Sequence, residues 1–231
     1  MMESIQYGSK HIAFALEYSE RKTLGIQMTP DIQILVKAPT GTSLEKVKEK
    51  VRKKAPWIIK QESFFLTFHP KTPPKKYISG ESHLYMGKSL ILKIKDGVKN
   101  EVKYKGRNFE VTTKDRTKTK SMMKEWYRNK AKQKFAEIAE PLIQRFKKYN
   151  VEPTNLYIQD MPRRWGSCTP KGKIILNPEL IKAPKGCIEY VIIHELCHLV
   201  HHNHTQKFFD LQSEEMPDWE KWKGKLERLL A

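Results

Sequence analysis

The sequence predicts an α+β fold, with a strand-rich first half and a helical second half. Three observations carry that expectation. Apolar residues alternate at period two in short runs before residue 115, and from residue 119 onward they recur every three or four positions. The third is a mostly apolar helix-length segment containing His194-Glu195-Leu196-Cys197-His198, which places two imidazoles one helical turn apart. The expected division is a β-rich basic region at 1–115 and a site-bearing domain at 116–231.

Each element has a local signal. Ala13-Phe14-Ala15-Leu16-Glu17-Tyr18 and Gly25-Ile26-Gln27-Met28 read as hairpin partners around Glu20-Arg21-Lys22, and Ile32-Gln33-Ile34-Leu35-Val36 alternates into a third strand ended by Pro39 and Gly41. Ser43 followed by Val47, Val51, Trp57 and Ile58 suggests a capped helix. A Pro/Lys-rich stretch at 70–76 reads as a linker. Glu81 to Gly87 and Leu90 to Ile94 then form a hairpin, and Val98 to Tyr104 and Asn108 to Thr112 extend that sheet. No period of 20–50 residues recurs, which argues against internal repeats.

From Thr119 to Tyr149, Met123, Trp126, Tyr127, Phe135, Ile138, Leu142 and Phe146 mark the core face of a long helix, which Pro141 is expected to kink or split. Asn155-Leu156-Tyr157-Ile158 reads as a strand. Trp165 to Cys168 and Lys173 to Leu176 read as a hairpin across Pro170-Lys171-Gly172. The histidine-bearing helix follows, then helices near 205–215 and 218–230.

Composition bounds the function. The net charge is +18, and residues 1–150 hold all of the excess, with 33 Lys/Arg against 15 Asp/Glu; residues 151–231 carry 11 of each. The densest stretch is 91–150, with 18 basic and 7 acidic side chains. Such a region suits nucleic acid or an anionic protein surface, and a solvated lysine-rich face has the same composition. Lysine prevails over arginine, which argues against base-specific readout. No apolar run approaches 18 residues, so no membrane partner is expected. Ile12 to Leu16 is too short for a signal peptide, and Cys168, Cys187 and Cys197 show neither CxxC spacing nor a disulfide framework. The expected location is cytoplasmic.

The chemistry concentrates in the helix. Ile188, Val191, Ile192, Leu196, Leu199 and Val200 make it apolar, with no Pro or Gly between Cys187 and Asn203. A rigid helix of this kind lets His194 and His198 reach one metal ion, while Glu195 takes a proton from water that the metal activates. His204 supplies a third ligand if the helix stops first, and Asn203 is a residue that tolerates the left-handed helix-ending conformation. Glu214 or Glu215 is a rival carboxylate ligand. His201 would lie about 10 Å along a continuing helix, too far to share the ion. Imidazole donors favour Zn2+ over Mg2+ or Ca2+. Cys197 reads as a small buried filler, Arg163 or Arg164 as an oxyanion helper or a structural arginine, and Lys173 to Leu176 as either a substrate-bearing edge or an internal strand.

Taken in order, Arg163-Arg164-Trp165-Gly166-Ser167-Cys168, Ile175-Leu176-Asn177, Glu189 to His198 and Asn203-His204-Thr205-Gln206-Lys207-Phe208-Phe209 resemble the YgjP-like metal-dependent hydrolases. These are predicted zinc metallopeptidases related to SprT-like and WLM proteases. The resemblance spans nearly the whole chain. It implies a zincin-like catalytic domain with zinc on His194, His198 and His204, Glu195 as catalytic base and a peptide or protein substrate. His201 stands where metzincins have glycine, so their methionine turn is not expected. The SprT-like connection suggests a protease tethered to nucleic acid through the basic N-terminal region. A nucleic-acid-binding module with a structural zinc and a non-peptide amidohydrolase are the competing readings.

Overall fold

The computed structural model describes residues 1–29, 32–66, 74–162 and 164–230. The stretch expected as a linker at 70–76 lies mostly outside the described residues, and Arg163 lies outside them too. Among the described residues there are five helices and three small sheets, so the α+β expectation holds. The chain divides into two compact units, Met1–Thr72 and Pro73–Leu230.

The first unit contains β1 (Met2–Tyr7), β2 (Lys10–Ser19), β3 (Gly25–Met28), β4 (Ile34–Pro39) and α1 (Leu44–Leu66). The spatial order is β1-β2-β4-β3, so β2 and β3 are not the hairpin partners expected from the sequence. β4 lies between them, parallel to β2 and antiparallel to β3, and fully buried Val36 sits opposite both Leu16 and Ile26. The most apolar strand has taken the centre, where both its neighbours shield it. Ile32 has a positive φ of 61°, so β4 starts two residues later than alternation suggested. One sheet face, with Ile5, Ile12, Phe14 and Leu16, buries Val47, Val51, Ala55 and Ile58 of α1.

The second unit begins with β5 (Ser82–Tyr85), β6 (Lys88–Asp96), β7 (Glu101–Lys105), β8 (Asn108–Thr113) and α2 (Thr119–Phe146). Its strand order is β5-β6-β8-β7, again with one parallel pair between two antiparallel ones. This repeats the topology of the first unit element by element, including the following helix. Equivalent positions match in burial: Ile5 with His83, Ile12 with Leu90, Phe14 with Leu92, Val36 with Val111, and Ala55 with Ala131. The chain therefore carries a ββββα module twice. The repeat is longer than the 20–50-residue periods that mark solenoids and arrays.

Within the second unit Leu90, Leu92, Phe109 and Val111 share one core with Met123, Tyr127, Ala131 and Phe135 of α2. The same core includes Ile188, Ile192 and Leu196 of α3 (Lys185–Val200), the histidine-bearing helix. The boundary expected at 115/116 thus falls inside this unit. Pro141 does not split α2, because buried residues on both sides of it (Ile138, Ala139, Leu142 and Phe146) hold the helix in the core.

The tip of the β5–β6 hairpin locks onto the approach to α3. The Met86 and Gly87 amides donate to the Ile181 and Lys182 carbonyls, both at 2.9 Å. Gly87 has φ +77°, and a Cβ there would stand 2.7 Å from the Pro184 ring, so only glycine fits. A third sheet contains β9 (Asn155–Ile158), β10 (Gly166–Cys168) and β11 (Lys173–Leu176) in the order β10-β11-β9. β11 is the internal strand and three-residue β10 is an edge. Two further helices, α4 (Gln206–Glu215) and α5 (Trp219–Leu230), close the unit.

The register of β6 is open to test. Leu92→Ala, at a fully buried position, is expected to destabilise the protein by about 2–5 kcal/mol. Ile91→Ala, on the other face and 41% exposed, is expected to stay within about 0.5 kcal/mol. Urea unfolding of the two variants measures both.

Candidate metal centre

Burial of α3 sets the geometry. Ile188, Val191, Ile192, Leu196 and Cys197 are buried, which leaves His194 and His198 on the strip that borders a cleft. Their ring centroids lie 5.0 Å apart. The helix ends at Val200, and His201 takes an extended backbone with φ −129° while its amide still donates to the Cys197 carbonyl at 2.8 Å. Asn203 is not among the residues with positive φ, so the left-handed stop expected there does not occur. The chain turns instead through 201–205, where the Thr205 amide donates to the Asn203 carbonyl at 2.8 Å. His204 is carried back so that its Nε2 lies 3.1 Å from Nε2 of His194. His194, His198 and His204 each present a ring nitrogen, and the three atoms lie within 4.8 Å of one another.

The rival ligands are engaged elsewhere. Glu215 is buried and pairs with Arg145 at 2.6 Å and Lys148 at 2.8 Å, and it accepts a hydrogen bond from the Tyr149 hydroxyl at 2.7 Å. Glu214 accepts from the Tyr149 hydroxyl at 3.0 Å. These contacts pin α4 to the end of α2. The His201 carbonyl accepts from Nδ1 of His198 at 3.3 Å. His202 lines the cleft rim. Cys197 is a fully buried filler, as its sequence context suggested.

Two residues to which the sequence assigned no role, Gln212 and Phe208, hold the imidazoles in place. Nδ1 of His194 donates to Oε1 of Gln212 at 2.8 Å, so its Nε2 keeps a free lone pair. Gln212 is fully buried and its amide nitrogen has no partner. An unsatisfied buried donor costs roughly 1–3 kcal/mol, and it is tolerated here on the side chain that fixes the His194 ring. Phe208 is fully buried beneath all three rings, with centroid distances of 5.0, 4.7 and 4.7 Å. The signal for both lay in α4. Phe208, Leu211, Gln212 and Glu215 fall on one helical face, so two polar residues sit on its apolar side.

Burial pushes the His194 pKa down to about 4 and lowers that of His198, so both rings are neutral, the form that ligates metals. Two nitrogens about 2.0–2.1 Å from a tetrahedral ion are about 3.3 Å apart, close to the His194–His204 spacing. The donor set therefore fits a small divalent ion of the zinc type.

Glu195 is 5% exposed. Burial pushes its carboxyl up to about 7, against the opposing pull of the Cys168 amide and the Arg164 charge. It lies directly behind β10. A Cβ on Gly166 would stand 2.6 Å from Oε1 of Glu195 and 2.8 Å from the Val191 side chain, so glycine is required for the strand to approach this closely. Asn177 secures the approach to β10: its amide group donates to the Met161 and Arg164 carbonyls at 2.8 and 3.1 Å, and its backbone amide donates to the Trp165 carbonyl at 2.9 Å. The cleft occupies about 800 Å³ and is lined by β10, Arg164, Trp165, Tyr190, Glu195 and the three imidazoles.

The family model described as YgjP-like, metallopeptidase domain, matches residues 22–229. No curated protein matches the chain.

The anchoring of α4 yields a pH prediction. Burial pushes the Glu215 carboxyl up, but hydrogen bonds from Lys148 and Tyr149 and the Arg145 charge outweigh it and hold the pKa below its ordinary 4.5. A depressed carboxylate pKa contributes stability above the unfolded value that is lost as pH falls through the folded one. Glu215→Gln should therefore lower the melting temperature by a constant amount near neutrality, and the gap to wild type should close below about pH 4.5. Thermal melts across that range measure it.

Proposed function

The chain belongs to the YgjP-like family of metallopeptidase domains, and from that premise we propose that it is a zinc-dependent peptidase of the zincin type. The observation that carries this reading is the convergence of three imidazole nitrogens beside a buried carboxylate in an open cleft. His194, His198 and His204, which border the cleft, would hold the ion. When bound, zinc lowers the pKa of water toward neutrality and polarises a carbonyl.

The remaining work falls to the chain's own side chains. Glu195 accepts the proton of the attacking water at its carboxylate and passes it to the leaving amine. Its buried setting, with β10 against it, keeps bulk water from solvating the carboxylate and raises its proton affinity. β10 is an unpaired edge on the cleft, so an extended peptide can lie along it as an added strand. That role was open for β11 in the sequence, but β11 is internal. Arg164 borders the same cleft, and its proposed role is to stabilise the carbonyl oxygen as it becomes an anion. The substrate class is peptide or protein. No helix among the described residues is long and apolar enough to cross a membrane.

Two outcomes test this assignment. Glu195→Gln is expected to retain stoichiometric zinc, read by elemental analysis, and to lose peptide-library cleavage by at least about 100-fold; full cleavage in that variant would remove Glu195 from the chemistry. Gln212→Ala is expected to weaken zinc affinity by about 10–100-fold, read by competition with a chromogenic chelator. A variant with wild-type affinity would show that the amide does not orient the ligand.

A further inference from the structure

The duplicated module carries a feature that the peptidase reading does not use. In the second unit a groove of about 710 Å³ runs between β7, the edge strand of its sheet, and α2. Its floor is apolar and aromatic, made by Tyr85, Val102, Tyr104 and Trp126. The Tyr85 ring lies 5.5 Å from Tyr104 and 5.0 Å from Trp126, and Tyr104 is 41% exposed on the open side. Lysines rim the groove: Lys88, Lys130 and Lys134, with Lys103 and Lys105 at the alternate positions of β7 that face the other side of the sheet. Nζ of Lys130 stands 6.0 Å over the Trp126 ring.

Three carboxylates approach this rim. Glu101 pairs with Lys103 at 2.7 Å, Glu110 with Lys105 at 3.1 Å, and Glu137 with Lys134 at 2.6 Å. Lys103 and Lys105 are exposed and Lys134 is half-exposed, so the pairs are weak and exchangeable. Among the described residues no carboxylate lies within 4 Å of Lys88 or Lys130. The groove therefore keeps a net positive rim above flat apolar faces.

The first unit has the same construction at the same place in its module. Between its edge strand β3 and α1 lies a smaller groove of about 270 Å³, lined by Leu24, Ile26, Lys50, Lys54 and Trp57. Trp57 is 39% exposed. Lys50 and Lys54 are one helical turn apart, as are Lys130 and Lys134. Each module thus has a tryptophan and a lysine pair beside its edge strand, with Lys54 and Lys130 at equivalent positions and the two tryptophans at different ones.

We propose that the groove between β7 and α2 binds single-stranded nucleic acid, with bases stacking on Tyr104 and Trp126 and phosphates neutralised by the lysine rim. Accessible ring faces bordered by cations suit unpaired bases, whose π-faces are free, and in a duplex those faces are stacked away. An all-lysine rim supplies point charges without the bidentate donors that read base edges, so binding is insensitive to sequence.

The experiment is fluorescence anisotropy of the full chain with fluorescein-labelled oligo(dT), with a mixed-sequence duplex of equal length and with an acidic tyrosine-containing peptide. Each probe is measured at two salt concentrations, with and without chelator. The single strand is expected to bind best, to weaken as salt rises, and to be indifferent to chelator. Tyr104→Ala and Lys130→Glu should each weaken oligo(dT) binding about fivefold or more, whereas Tyr104→Phe, which keeps the ring, should not. Tyr104 is a surface residue, and unchanged thermal melts confirm that its variants fold. The proposal is overturned by absent binding, by equal affinity for duplex, by tighter binding of the acidic peptide, or by wild-type affinity in Tyr104→Ala. Loss of peptidase activity leaves this result untouched, because the groove lies outside the cleft.

Discussion

The hydrogen bond from Nδ1 of His194 to Gln212 is the contact on which the candidate metal centre depends. A helix alone brings two imidazoles to one side, but it does not orient their rings or supply a third nitrogen. Both tasks fall to α4, which contributes Gln212 and Phe208 and whose start fixes His204. α4 is in turn held by the buried Glu215, bonded to Arg145, Lys148 and Tyr149 at the end of α2. α2 rests on the second sheet. The site is thus a chain of supports running from sheet to helix to ring nitrogen.

Whatever is local was legible in the sequence. The four-residue spacing of His194 and His198 on one helix and the β10–β11 hairpin follow from short-range rules, and both are found in the structure. Non-local facts were not legible. Alternation identified β2, β3 and β4 as strands but carried no information on which lies in the middle, because that depends on how completely Val36 is covered from both sides. Gln212 escaped notice because a polar side chain on an apolar helix face reads as noise until its partner is known. The Asn203 stop failed for a related reason: the extended backbone at His201 ends the helix two residues earlier, and the left-handed conformation is not needed.

The module repeat was hidden because burial is retained while identity is not. Ile5 and His83 occupy equivalent buried positions, one in an apolar core and the other bonded to Glu81 at 2.9 Å. Volume and side of the sheet are kept at such positions, and chemistry drifts. The two copies also carry different loads: the hairpin of the second one clamps the entry to α3 through Gly87, and the described residues that line the cleft belong to the second unit.

This asymmetry has an evolutionary consequence. A duplicated element whose twin already supports the active body answers only to its own folding stability. The first module can therefore accept insertions, altered charge or a new surface specificity at rates the second cannot match. Change should accumulate there more readily than around α3 and its cleft.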